Sequence, residues 1–117
     1  MNTIPAAAAE PIGDAARGAK DYATYCAVCH GVGGEGDGPL ASRLEPKPSD
    51  HTDAEAMARL SDAELFRLLK EGGAAVGRSP LMLPWGKTLS DERIAGLVAY
   101  LRTLPRTRTA GETRTGK

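Results

Sequence analysis

The chain has 117 residues, with 15 basic and 15 acidic side chains and only five aromatic residues. This length predicts one domain. The lack of a basic stripe argues against a nucleic-acid-binding protein, and the lack of any apolar stretch of about 18 residues argues against a membrane span.

The first predicted element is a helix that leads into a pair of cysteines. Asp14 is placed to cap this helix, which runs through Tyr22 towards Cys26. Residues 31–50, GVGGEGDGPLASRLEPKPSD, are rich in glycine and proline and predict a long loop rather than a helix or strand. Because long loops in compact domains usually wrap something, this loop is expected to enclose a ligand.

Three later helices complete the expected all-α fold, since no strand alternation persists anywhere in the chain. Thr52 stands three residues before a glutamate and predicts a short helix over residues 53–60. Ser61 repeats that spacing and begins a helix that a pair of glycines ends at Gly72. Ser90 begins the last helix, which Pro105 stops. Between these helices, residues 74–89 are predicted to be irregular.

The predicted domain covers residues 14–105. Residues 1–13 are expected to form a flexible N-terminal segment that lacks the basic start and long apolar middle of a signal peptide. The AAAAE stretch within them resembles the end of a cleaved leader or a linker. Residues 106–117 carry a net +3 and are expected to form a disordered basic tail.

The stretch CAVCH, residues 26–30, contains both cysteines of the chain. Four interpretations compete for it. A structural disulfide leaves His30 unexplained, and a thioredoxin-like redox pair needs a βαβ context that this chain lacks. A zinc site formed by Cys26, Cys29, His30 and His51 has four ligands on paper. The fourth interpretation is favoured: both thiols bind one haem covalently and the adjacent imidazole ligates its iron. Such a cofactor would also fill a core that has few large side chains.

Iron held by His30 needs a ligand on its other face, and three side chains are candidates. Met57 lies within a helical pattern, so it is expected to fill the core. His51 follows the proline-rich loop, where a surface or haem-edge position is expected. Met82 lies between Pro80 and Pro84 in a segment without helical repeat, and stiff flanking residues favour it as a thioether ligand.

Residues 14–104 resemble the class I cytochromes c, especially the small bacterial and photosynthetic-type carriers with one haem. GAKDYATYCAVCHG resembles the first helix and the haem-attachment site of that family, GDGPL resembles the turn after it, and PLMLPWGKTLSDERIAGLVAYLRTL resembles the methionine loop and closing helix. The resemblance implies a haem-binding set of Cys26, Cys29, His30, Pro39, Met82 and Trp85, with His30 and Met82 on the iron. In this set the carbonyl of Pro39 accepts a hydrogen bond from His30. The resemblance also implies that Gly18, Tyr22, Leu97 and Tyr100 lie where the first and last helices cross.

The function implied is that of a carrier of single electrons, not an enzyme. One covalent haem c would shuttle electrons between redox proteins that bind it transiently, with the protein a monomer in the periplasm or another extracytoplasmic compartment. Two alternatives remain: a haem-based sensor or enzyme whose sixth ligand is labile, and a cytochrome domain of a larger oxidoreductase.

Overall fold

The computed structural model describes residues 13–45 and 48–106, and within these ranges the fold is all-α, as predicted, with no β-strand. The predicted flexible N-terminal segment lies outside the described residues except for Gly13. The predicted basic tail lies outside them except for Arg106. The α-helices are α1 (Ala15–Asp21), α2 (Ala27–His30), α3 (Ala54–Ala58), α4 (Asp62–Glu71) and α5 (Asp91–Leu101).

One continuous helical segment leads to the cysteine pair. Asp14 caps α1 as predicted, because its Oδ1 accepts hydrogen bonds from the backbone amides of Ala16 and Arg17. Between α1 and α2 the helix widens into a π-helical turn, Tyr22–Cys26, with the amide of Ala27 bonded to the carbonyl of Tyr22. Counting this segment as one helix gives the four helices expected.

The backbones of α1 and α5 cross in direct contact. A Cβ atom added at Gly18 would overlap the carbonyl of Gly96, and one at Gly96 would lie 2.9 Å from the carbonyl oxygen of Asp14. Leu97 is fully buried at this crossing, and the rings of Tyr22 and Tyr100 lie 5.2 Å apart. The crossing therefore contains the glycine, leucine and tyrosines that the family resemblance implied.

A buried ion pair joins the same two helices. Asp21 is buried, and its carboxylate accepts hydrogen bonds of 2.7 and 3.1 Å from the guanidinium of Arg93. These bonds hold the pKa of Asp21 below its ordinary value, although burial acts in the opposite direction. The pair therefore fixes α1 against α5 beside the π-helical turn.

The capping box at Ser61 is present, with reciprocal bonds between Ser61 and Glu64, and α4 ends at Gly72 with φ of +89°. The box predicted at Thr52 is wrong. Asp53 caps α3 instead, since its Oδ1 accepts from the amide of Ala56, while the hydroxyl of Thr52 donates to Asp50. A carboxylate one residue later displaces the weaker threonine cap, so α3 begins at Ala54.

Helices α3, α4 and α5 are joined by one guanidinium. Arg102 donates to the carbonyls of Met57 and Leu60 and to the carboxylate of Asp62. The core cluster around which these helices pack consists of Tyr22, Cys26, Met57, Leu65, Leu69, Leu89, Ile94, Leu97, Val98 and Leu101.

Candidate haem-binding site

The CAVCH segment forms the last turns of the first helical segment. Cys26 is 7% exposed and Cys29 is half-buried, and both thiols are free, so the disulfide interpretation does not describe this structure. Burial, with smaller contributions from Asp21 and Cys29, raises the pKa of Cys26 to about 12. Two thiols and an imidazole thus stand together at the end of one helix.

His30 presents one ring nitrogen to the protein and keeps the other free. Its Nδ1 lies 3.1 Å from the carbonyl oxygen of Ser49. A carbonyl can only accept, so Nδ1 carries the proton and the lone pair of the neutral ring is on Nε2. Burial lowers the pKa of His30, which favours the neutral form that a metal ligand requires.

The acceptor for His30 differs from the one that the sequence resemblance implied. Ser49 takes the bond in this structure, where Pro39 was expected. Pro39 lies between Gly38 and Leu40, whose amides donate to the carbonyls of Cys29 and Val28. Those carbonyls end α2 and need partners, so the loop backbone packs directly on the attachment turn. This packing requires glycine at position 38, where a Cβ would lie 2.5 Å from the carbonyl oxygens of Ala27 and Val28.

His51 lies against His30, a position that the sequence did not reveal. The two ring centroids are 4.2 Å apart and the ring planes are inclined by 25°. A hydrogen bond of 3.0 Å joins Nδ1 of His51 to the hydroxyl of Tyr22. Burial, with a smaller contribution from His30, lowers the pKa of His51 to about 3, and burial raises the pKa of Tyr22.

Met82 and Met57 occupy different environments. Met57 is 3% exposed within the core, where its carbonyl is bonded to Arg102. Met82 is half-buried and packs at the edge of the core cluster, between Leu81 and Leu83, which are 49% and 57% exposed. Its carbonyl accepts a bond of 2.9 Å from the amide of Gly73. The methionine loop is thus anchored through its backbone, while its side chains lie at the surface of the fold.

Trp85 links the methionine loop to the attachment helix and to α4. Its indole ring lies 5.3 Å from the ring of Tyr25, one residue before Cys26. The amides of Trp85 and Gly86 donate to the carbonyls of Leu69 and Lys70, which end α4. The described residues contain no group of three or more His, Cys, Asp or Glu arranged to hold a metal ion. The four ligands of the zinc interpretation therefore form no such arrangement.

The fold and the CxxCH turn define a class of protein, the small c-type cytochromes. A family model described as cytochrome c oxidase, cbb3-type, subunit III matches residues 13–101, and the chain belongs to this cytochrome c family. Within residues 13–45 and 48–106, no helix combines the length and apolar character needed to cross a membrane.

Named relatives agree with this assignment. The chain is 32% identical over 88 residues to cytochrome c-554(548) of Halomonas halodenitrificans, covering 75% of this chain and 93% of that protein. It is 32% identical over 85 residues to cytochrome c-553 of Helicobacter pylori, covering 73% and 76%. Among solved structures, the c-type cytochrome KustC0563 is similar with a TM-score of 0.63 and 29% identity, covering 76% of this chain and 98% of that one.

Family membership establishes the cofactor and the activity at the level of the family. The cofactor is haem c with its iron, and the protein takes part in haem-based electron transfer rather than in catalysis of a reaction. The residues present fit that cofactor, because two free thiols and an imidazole with an available Nε2 stand on one turn. Sequence reasoning missed the contact of His51 with His30, since nothing in PSDHTD marks a residue that packs on CAVCH.

Proposed function

We propose that the protein is a one-electron carrier in which haem c is attached through Cys26 and Cys29 and iron is ligated by His30 and Met82. The observation that carries the proposal is the turn on which both free thiols precede an imidazole whose Nδ1 proton is already bonded to Ser49. That bond fixes the tautomer and leaves Nε2 for the metal.

Met82 is the sixth ligand that the surroundings favour. Met57 is enclosed in the core and its backbone is tied to α5 through Arg102. His51 stacks face to face on His30. Two imidazoles on opposite sides of one iron point ring nitrogens at each other instead, so this arrangement opposes His51 as the sixth ligand. Met82 remains, on a loop whose backbone is anchored to Gly73.

The other predicted haem-binding residues have supporting roles in this proposal. Pro39 lies in the loop that packs on the attachment turn, between the amides of Gly38 and Leu40 that bond to that turn. Trp85, packed on Tyr25 beside Cys26, would shield the cofactor from water on the side of the methionine loop. Excluding water and holding both ligands in place keeps the geometry nearly constant between oxidation states.

Bound haem supplies an iron that changes oxidation state by one electron. With His30 and Met82 both on the iron no position is left for a substrate, which separates a carrier from a sensor or enzyme with a labile sixth ligand. We further propose that donors and acceptors are redox proteins that bind transiently to the monomer, and that the compartment is periplasmic or otherwise extracytoplasmic. The carrier would act through the domain of residues 14–105.

The attachment is tested by replacing the two cysteines. Wild-type protein made in a host that matures c-type cytochromes is expected to keep its pigment in denaturing gels and in acidified organic solvent. The Cys26→Ala and Cys29→Ala double variant is expected to lose all covalently bound pigment. Covalent haem that persists in the double variant would contradict the proposal.

The axial ligand is tested with a matched pair of methionine variants. Met82→Ala is expected to open the iron to carbon monoxide or imidazole and to abolish the weak long-wavelength band that a methionine–iron bond gives the ferric protein. Met57→Ala is the control, which is expected to reduce stability by about 2–5 kcal/mol through the cavity it leaves, without opening the iron. The opposite result would assign the iron to Met57.

A further inference from the structure

We propose that His51, held by Tyr22, is a positioning residue for His30: it fixes the rotation of the His30 ring and thereby tunes the reduction potential of the iron. The inference deepens the proposed function and depends on it, since it assumes that His30 ligates the haem iron. His51 itself is assigned no bond to the metal.

The contact between the imidazoles restricts the His30 ring on one face. Their centroids are 4.2 Å apart with an inclination of 25°, which is a stacked arrangement. The bond from Nδ1 to Ser49 restrains the edge of the same ring. Hydrogen bonding alone leaves a ring free to tilt about the donor–acceptor line, whereas an aromatic surface against its face opposes that tilt.

Tyr22 holds His51 in this position through the hydrogen bond of 3.0 Å to its Nδ1. Tyr22 is 2% exposed, and its ring lies 5.2 Å from that of Tyr100 at the crossing of α1 and α5. The ring of His51 is therefore tied to the closely packed crossing of α1 and α5 rather than to its own loop alone.

The loop is also bonded at His51 itself and between the residues on either side of it. The amide of His51 donates to the carbonyl of Gly34 over 2.6 Å, and Asp50 accepts from the amide and hydroxyl of Thr52. Gly34 has φ of +82°, and a Cβ there would lie 3.2 Å from the hydroxyl of Tyr22 and 3.5 Å from Cβ of His51. The three residues thus approach one another closely, at a backbone conformation that L-residues rarely adopt.

Ser49 and His51 are two residues apart, so one short segment supplies both the acceptor and the stacking surface for His30. Residues around a ligating histidine set its orientation and basicity, and these in turn affect the potential of the metal. The hydroxyl of Tyr22, which touches no atom of the cofactor in this scheme, is predicted to influence the iron through His51.

The test compares Tyr22→Phe, His51→Phe and the double variant with wild type, using purified holoprotein. Both single changes remove the same hydrogen bond and keep an aromatic ring. The readouts are the midpoint potential from spectroelectrochemistry and the pattern of haem-methyl shifts in the NMR spectrum of the ferric protein. Tyr100→Phe is the matched control. Tyr100 packs on Tyr22, but the hydrogen bond to His51 is made by Tyr22.

We expect each single variant to shift the potential and rearrange the haem-methyl pattern, and the double variant to add nothing beyond the larger single shift, because the coupling is already lost. Tyr100→Phe should keep the wild-type values. Unchanged values in Tyr22→Phe, or shifts that add in the double variant, would overturn the inference, and Tyr22→Phe decides alone if His51→Phe does not fold. Pigment that is not covalently bound in wild type would instead refute the proposed function.

Discussion

The crossing of α1 and α5 and the loops around His30 are held together in different ways. At the crossing, backbone meets backbone at Gly18 and Gly96, and buried apolar side chains surround the contact. Around His30, the loop backbone is bonded to helix-terminal carbonyls, as Gly38 is to Cys29 and Leu40 to Val28.

The difference separates residues that set the stability of the domain from residues that set the environment of His30. Close packing at the crossing tolerates no added volume, so changes there should affect the free energy of unfolding of the whole domain. The loops contribute few buried side chains, and their bonds go to carbonyls that a helix end leaves without partners. Changes in the loops should therefore act mainly on the His30 environment and less on the domain as a whole.

The largest expected effect tests the crossing itself. Gly18→Ala places a Cβ within overlap distance of the carbonyl of Gly96, which neither backbone can avoid. We expect a loss of more than about 3 kcal/mol in the free energy of unfolding, measured by denaturant titration of the holoprotein. Gly33→Ala is the control, since a Cβ there meets nothing within 4 Å. Equal stability of the two variants would contradict the claim that the crossing tolerates no added volume.

A second variant tests whether the outer helices depend on one side chain. Arg102→Ala removes hydrogen bonds to Met57, Leu60 and Asp62 and leaves two carbonyls without that donor. We expect a loss of about 2–3 kcal/mol in unfolding free energy. Arg59→Ala, an exposed arginine at the end of α3, should change it by less than about 0.5 kcal/mol. A small loss in Arg102→Ala would show that packing alone joins α3 to α5.

The buried ion pair at the crossing gives a prediction with a pH signature. Asp21→Asn removes the charge that Arg93 binds, and we expect a loss of about 2 kcal/mol at neutral pH. Because the pKa of Asp21 is lowered in the folded protein, its contribution is present above the ordinary aspartate range and is lost as pH falls through the folded pKa.

The stability gap between wild type and Asp21→Asn should therefore close as acid is added. Glu71→Gln, which breaks the exposed pair with Arg67 at 3.0 Å, is the control and should cost about 0.5 kcal/mol or less. A gap that stays constant between neutral pH and about pH 3 would show that the charge of Asp21 is not what stabilises the crossing.

The smallest expected stability effect comes from the loop side. Gly34→Ala forces an L-residue to φ of +82°, which costs about 1–2 kcal/mol, while the nearby Leu104 side chain can shift to make room. We expect this variant to change the haem-methyl pattern more than Gly18→Ala does, although it destabilises the domain less. If both variants left the pattern unchanged, the separation of tuning from stability would be wrong.

Much of the fold followed from local chemistry. The caps at Asp14, Ser61 and Ser90 and the helix end at Gly72 depend on residues that are adjacent in sequence, and the structure has all four. Thr52 misled because of two acidic neighbours: Asp50 accepts from the threonine hydroxyl, and Asp53 caps the helix through the amide of Ala56. No sequence pattern predicted the π-helical turn. It depends on how the two helical segments that flank it are held by the rest of the fold.

The site was less predictable than the fold. Cys26, Cys29 and His30 follow from spacing alone, because the motif is contiguous. The acceptor of His30 and its stacking partner come from residues about twenty positions away, and their approach depends on the path of a loop that no periodicity describes. Met82, Pro39 and Trp85 remain proposals that rest on their surroundings.

Arg106 connects the end of the described chain to the loop that supports His30. Its amide donates to the carbonyl of Thr52, and its guanidinium binds Glu35 over 2.6 Å. Arg106 therefore bonds to both ends of the segment 35–52, which contains Ser49 and His51. A substitution that removed the guanidinium of Arg106 would therefore loosen the segment that carries Ser49 and His51, while the contact of Gly18 with Gly96 at the helix crossing would stay in place.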